Sequence, residues 1–251
     1  MNFLNKKILP IVCLLIVYLF FEFVPRVFSI PSYVLPTANS ILSALWNDKN
    51  ILADHFLTTF FEWMLGLFIS IFLGIFIGTF SLCYSFLEKI LSPIFVVSQS
   101  IPYLIFIPFL LIWLGLGSAP KIFLVVLTCT FPIAMVLQKE FSSAKEEYQS
   151  FIQLFQLNFI HSLFHIYFPY SFKGFLKSLK ISSCYSFGST VIAELMGSEN
   201  GLGVYLQRAQ SSYRLDKMMC VVFIILVVTF IVHYGIDILE KKFIFWTEEK
   251  K

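Results

Sequence analysis

Chemistry in this chain of 251 residues would have to come from four histidines and 15 acidic side chains. No G-x-S-x-G, H-E-x-x-H, P-loop or G-x-G-x-x-G occurs, which leaves no nucleophile elbow, no zinc-protease helix and no cradle for nucleotide phosphates. His161 and His165 are four apart, on one face of a helix. With no carboxylate at ligand spacing, they are expected to pack at a surface. His233 and Asp237 are also four apart, inside an apolar run, and are expected to pair with each other, with a proton relay as the alternative. Glu62 is expected to snorkel to a membrane interface. Glu194 is expected to make either a structural ion pair or helix-end contact, or to serve a gate. Cys13, Cys83, Cys129, Cys184 and Cys220 are isolated and form no C-x-x-C, so they read as small buried hydrophobes and no metal site is expected. If this protein moves anything at the expense of ATP, the nucleotide must bind another subunit.

The elements that would hold these residues follow from composition. The chain is 58% hydrophobic and 13% charged, with a mean hydropathy of +0.84, whereas soluble domains are about 25% charged. That is the composition of an all-α, multi-spanning membrane protein. A net charge of +3 is too small to imply nucleic acid as a partner. Six apolar stretches are expected to span: 8–28, 56–82, 90–116, 122–136, 179–196 and 218–239. The first follows Lys6 and Lys7 and lacks a small-residue cleavage site, so it reads as an uncleaved helix. Between the first two, Thr37 can cap an amphipathic helix carrying Ile41, Leu42, Leu45 and an interfacial Trp46. Gly74 and Gly78 form a GxxxG that allows close helix approach. The third stretch contains Pro93, Pro102 and Pro108, which kink or split a spanning helix. With six spans and the N-terminus inside, twelve of the 18 Lys and Arg residues fall on the cytoplasmic side and six outside. The positive-inside rule therefore sets both termini in the cytoplasm.

The longest polar interruption, 138–180, is then a cytoplasmic loop between the fourth and fifth spans. It is amphipathic, lysine-rich and ends in Ile166-Tyr167-Phe168-Pro169. Such a loop suggests a docking surface for a cytoplasmic partner.

Three stretches carry a resemblance. They are Ser98-Gln99-Ser100-Ile101-Pro102; the run from Ile107-Pro108 through Trp113, Gly115 and Gly117 to Pro120-Lys121; and Val191 to Glu194 followed by Gly197, Gly201 and Gly203. Together they resemble the permease subunit of ABC importers (binding-protein-dependent transport system inner membrane components), in the branch serving nitrate, sulfonates, taurine and thiamine-precursor pyrimidines. The resemblance covers about 30–246 and implies a type I ABC importer permease fold. In that family the cytoplasmic loop carries Glu-Ala-Ala, then a glycine at a turn between two short helices, then Ile-x-Leu-Pro. Here Ile166, Phe168 and Pro169 match the ending, Gln156 falls at the glycine, and Ser150-Phe151-Ile152 replace Glu-Ala-Ala. The resemblance makes Ser150, Phe151, Ile152, Phe155, Gln156, Ile166, Phe168 and Pro169 the ATPase-coupling residues. Because proline-broken backbone belongs at a cavity, Gln99, Ser100, Pro102, Pro108, Trp113 and Glu194 are the pore or gate candidates.

The implied organisation is a first transmembrane helix at 1–28, an extracytoplasmic connection at 29–55, a core permease domain at 56–246 with the coupling loop 138–180, and a cytoplasmic tail at 247–251. No cofactor is expected on this chain; ATP would act on the partner. The implied partners are a second permease copy, cytoplasmic ATP-binding subunits, an extracytoplasmic solute-binding protein and the bilayer of a prokaryotic plasma (inner) membrane. An autonomous secondary transporter and an intramembrane enzyme are the competing classes. The first needs no ATPase, and the second needs acid–base pairs at membrane depth.

Overall fold

The computed structural model describes residues 3–243. The tail expected at 247–251 and the last residues of the expected core lie outside the described residues. Among the described residues, regular structure is helical throughout: α1 (Phe3–Val27), α2 (Ala38–Asn47), α3 (Lys49–Cys83), α4 (Ser85–Ser100), α5 (Ile107–Leu114), α6 (Ala119–Leu154), α7 (Phe159–Ser162), α8 (Phe168–Glu194), α9 (Leu202–Ser211) and α10 (Leu215–Phe243). A 3-10 turn, Tyr103–Phe106, precedes α5, and a π-turn, Leu163–Tyr167, precedes α8. Contacts divide the chain into two compact units. One is the chain up to Thr58 together with Glu199–Leu226; the other is Thr59–Ser198 with the chain from Val227 onward.

In the smaller unit, polar side chains tie the short helices down. Thr37 caps α2, its Oγ1 accepting from the Ser40 amide at 3.2 Å. Glu22 of α1 is buried, pairs with Arg26, and accepts from the Asn39 amide at 3.1 Å and from Asn39 Nδ2 at 3.0 Å, which sets a carboxylate at the positive end of α2. Asp48 accepts from Tyr205 Oη of α9 at 2.7 Å and pairs with Lys217 Nζ at 2.6 Å. Burial pushes the Asp48 carboxyl up, but Lys217, Tyr205 and Arg214 together outweigh it and hold the group below its usual range. His55 Nδ1 accepts from the Gly201 amide at 3.0 Å, anchoring a backbone at φ +125° that favours glycine. Trp46 is exposed, and Lys49 Nζ lies 4.3 Å from the centre of its ring.

In the larger unit, α3 and α6 run parallel and touch backbone to side chain. A Cβ built on Gly66 would lie 2.7 Å from Val125 Cβ, on Gly74 2.6 Å from Ile133 Cγ2, and on Gly78 2.9 Å from Leu137 Cβ. The partner numbers rise together along both helices, so the two elements keep a common direction. Ser70 and Ser81 continue the small-residue stripe, their hydroxyls returned to the Gly66 and Gly78 carbonyls at 2.6 and 2.7 Å. Against the other side of α6 lies α8, antiparallel to it, whose buried Ser171, Ser178, Ser183, Ser186 and Thr190 likewise bond carbonyls three or four residues back.

By length and composition, α3, α6 and α10 can each cross a membrane, and Lys89–Ser100 with Tyr103–Leu114, bent by 89°, add a fourth if taken as one broken span. Several expectations are corrected. The helix expected at 122–136 continues to Leu154, so much of the expected loop 138–180 is helix. The expected fifth span, 179–196, begins earlier, at Phe168, and its serines and lysines keep α8 out of the apolar set. Of the three prolines in 90–116, only Pro102 marks the bend: Pro93 lies inside α4, and Pro108 starts α5. Cys83 is exposed rather than buried, while Cys129 and Cys220 are buried.

Gly74→Ala should overpack the α3–α6 contact at a cost of about 1–3 kcal/mol and lower the thermal midpoint of the purified protein. Gly235→Ala, whose added Cβ meets nothing within 4 Å, should leave that midpoint unchanged or slightly raised. Equal behaviour of the two variants would contradict the packing described.

Candidate functional site

The far end of α6 is where the expected coupling residues come together. From Gln138 onward the helix is amphipathic, with Gln138, Phe141 and Ala144 buried and Lys139, Lys145 and Glu146 exposed. It ends in a Schellman closure: the Leu157 amide reaches the Ile152 carbonyl at 3.0 Å and the Gln156 amide reaches Gln153 at 3.2 Å. The residue this closure turns on is Gln156, at φ +47°. Glycine normally fills this left-handed position, because a side chain there costs roughly 1–2 kcal/mol. Asn158, the other residue suited to such geometry, is extended instead, at φ −64° and ψ 152°, and begins α7. The returning chain passes through the π-turn into α8, whose first turn holds Pro169.

An aromatic clasp closes this hairpin. Phe141 is fully buried, and the rings of Tyr167 and Phe168 meet it edge-on at 6.2 and 5.7 Å. Beyond the clasp the tip is apolar and open. The rings of Phe151 and Phe155 meet at a tilt of 44° with centroids 4.6 Å apart, and Leu154, Ile160 and Phe164 are 77%, 69% and 61% exposed. Ser150, Gln156 and Pro169 are exposed around them, while Ile152, Ile166 and Phe168 are half-buried. Leu154, Phe159, Ile160 and Phe164 join the tip without having been singled out in the sequence. Their signal was available as apolar residues flanking a turn inside a polar stretch.

The pore or gate candidates divide. Gln99, Ser100, Pro102, Pro108 and Trp113 are exposed along the bent segment. Gln99 Nε2 approaches Met135 Sδ at 3.4 Å, and Ser100 Oγ bonds the Val96 carbonyl at 3.2 Å. Glu194 is different: it is fully buried and accepts from Thr59 Oγ1 at 2.7 Å, the geometry of a contact at a helix end.

Two acid–base expectations are corrected. Glu62 does not snorkel; it is 2% exposed and pairs with Lys121 Nζ at 2.5 Å. Next to it, Trp63 Nε1 donates to Ser186 Oγ at 2.8 Å and its ring meets Phe187 edge-on at 5.4 Å. His233 and Asp237 do not pair: Asp237 bonds Lys180, and His233 Nδ1 lies 3.8 Å from Cys184 Sγ. The antiparallel α8 offers each a cross-helix partner that the spacing along α10 could not reveal.

A family model described as "Binding-protein-dependent transport system inner membrane component" matches residues 70–245. The chain is 25% identical over 238 residues to the "Probable ABC transporter permease protein" of Haemophilus influenzae, an alignment covering 94% of this chain and 96% of that one. It is 22% identical over 242 residues to the formylaminopyrimidine transport permease protein ThiX of Halalkalibacterium halodurans, covering 96% of each. Its fold is shared with a chain of the inward-facing MetNI methionine ABC transporter, with a TM-score of 0.64, 16% identity, and coverage of 79% of this chain and 97% of that one. The chain therefore belongs to the family of binding-protein-dependent transport system inner membrane components, the permease subunits of ABC importers. It is a membrane transport subunit rather than an enzyme, as the resemblance implied.

Lys121→Met would leave the Glu62 carboxylate buried without its counter-charge, at a cost of about 3–5 kcal/mol. The variant should accumulate poorly or melt early, and adding Glu62→Leu should recover much of the loss. A single variant as stable as the wild type would show that the pair is not held in the folded protein.

Proposed function

We propose that this chain is one half of a translocation path for a small polar solute, and that the tip of the α6–α8 hairpin is where a cytoplasmic ATPase subunit docks. The observation that carries this reading is the open apolar tip around Gln156. A residue held left-handed at the turn between two helices, ringed by Phe151, Leu154, Phe155, Ile160 and Phe164, suits insertion into a groove on a partner. The diverged Glu-Ala-Ala region keeps the shape of the family's turn without its glycine. Nucleotide binds the partner, and this chain acts on solute alone. Six spans with both termini in the cytoplasm, over the domain limits 1–28, 29–55, 56–246 and 247–251, accord with the distribution of lysines and place the tip on the ATPase side. A second copy completes the path, and a solute-binding protein delivers cargo from outside, in a prokaryotic inner membrane. The bent segment from Gln99 to Trp113 lines the path, with Glu194 steadying the helix beside it.

For cargo, a thiamine-precursor pyrimidine is the first class to test, because the relative named for formylaminopyrimidine aligns over nearly its whole length. Sulfonates and taurine form the comparison set.

Leu154→Asp and Ile160→Asp, which place charge on the open tip, should abolish co-purification of the ATPase subunit and reduce uptake at least tenfold while the permease remains in the membrane. Uptake that persists after deletion of the ATPase would instead establish an autonomous carrier. Wild-type ATPase retention in both variants would remove the docking assignment.

A further inference from the structure

Outside the apolar contacts of the tip, one pair of side chains is arranged for a different chemistry. His161 and His165 stack with ring centroids 4.1 Å apart and planes 17° apart, both exposed. Their spacing alone would predict only neighbours on a helix face. The π-turn beginning at Leu163 changes this. Four residues overshoot one turn of an α-helix and fall short of one turn of a π-helix, so the mixed segment brings His165 directly over His161.

A hydrogen bond favours one tautomer as well. His165 Nδ1 lies 3.0 Å from the His161 carbonyl oxygen. A carbonyl only accepts, so in the neutral ring Nδ1 carries the proton and Nε2 presents a lone pair. A backbone carbonyl that holds one ring nitrogen protonated and frees the other is the usual support of a metal-ligating histidine.

We propose that His161 and His165 together bind a single borderline transition-metal ion of the Zn²⁺ or Cu²⁺ class. Two metal–nitrogen bonds of about 2.0–2.1 Å meeting at a tetrahedral angle set the nitrogens about 3.4 Å apart; because each lone pair lies in its ring plane, both rings turn out of their stack to converge on one ion, a rotation open to exposed side chains whose ring centroids already lie 4.1 Å apart. Imidazole nitrogen selects Cu²⁺, Zn²⁺ and Ni²⁺ over Mg²⁺ and Ca²⁺, which take oxygen. Among the described residues, no third His, Cys, Asp or Glu makes a larger ligand group, so water or a group from a partner fills the remaining positions. Ile160 and Phe164 flank the pair on the open tip; an ion bound there would stiffen the surface assigned to the ATPase, a consequence that rests on the docking reading.

The site itself is tested without any ATPase. Untagged permease in detergent, freed of metal by chelation and dialysis, is titrated with Zn²⁺ by calorimetry, and with Co²⁺ while its visible absorption is recorded. One ion per chain and a Co²⁺ spectrum of nitrogen ligation are expected, with affinity falling at least tenfold in His161→Ala and in His165→Ala. Absence of saturable binding to the wild type, or undiminished binding by the double variant, overturns the proposal. Neither result bears on whether Leu154→Asp releases the ATPase, so failure of the site and failure of the docking reading are separately visible.

Discussion

Where α3 passes α6, there is no room for a side chain on α3: a Cβ on Gly66 or Gly74 would lie 2.7 or 2.6 Å from a branched residue on its neighbour. Inside a bilayer, lipid tails are as apolar as leucine, so burying apolar surface does little to drive two helices together. What remains is dispersion between closely matched surfaces, and that favours backbones that can approach. The glycine stripe of α3 supplies this on one side of α6. On the other side, α8 uses serines whose hydroxyls are returned to their own helix. A serine satisfied in this way is small and electrically quiet, so α8 can be rich in polar residues and still pack tightly. The same device explains why it looks too polar to be a span.

The charged groups in this unit serve the same close contact. Glu62 and Lys121 are both nearly inaccessible, at 2% and 6%. Removing two charges from water costs several kcal/mol per ion, which their attraction offsets only with good geometry. The pair therefore makes a modest net contribution to stability but a strong one to register: a slip of α6 along α3 would leave two buried charges unpaired. Thr59 with Glu194 and Trp63 with Ser186 impose the same condition on α8. Glycines and serines let the three helices meet, and the polar contacts decide at which level.

Much of this was legible in the residues. Composition sufficed for an all-helical membrane chain, and the Gly74–Gly78 spacing marked a close-packing face. The Ile-x-Phe-Pro ending, counted back, put Gln156 at the turn, where the backbone is indeed left-handed. What could not be read were contacts made across helices. Asp237 looked paired with His233 because both lie four apart on α10, yet Lys180 comes from an antiparallel neighbour. Glu62 looked free to reach an interface because Lys121 is remote in sequence. Helix ends were also hidden. Polarity between 138 and 154 resembled a loop, but its residues favour helix, and the apolar positions kept a helical spacing against α8.

The length of α6 gives these local facts a mechanical meaning. At 1.5 Å per residue, its 36 residues make a rod of about 54 Å, well beyond the ~30 Å of a bilayer core. One end is pinned at Lys121; the other carries Leu154 and the open tip. Between them the rod is gripped along α3 by glycine contacts and along α8 by the hairpin with its Phe141 clasp. A rod held on two sides cannot absorb a displacement by bending freely. The sites at which it can yield are Pro132, which removes a helical hydrogen bond midway, and Gln156, where the helix stops in a strained turn. A force applied at the tip is therefore passed to the gripped part of α6, and so to α3 and α8 together, rather than dissipated in a loop. The polar stretch that interrupts the apolar runs is, in the folded protein, the free end of a helix that begins at the opposite limit of the same unit.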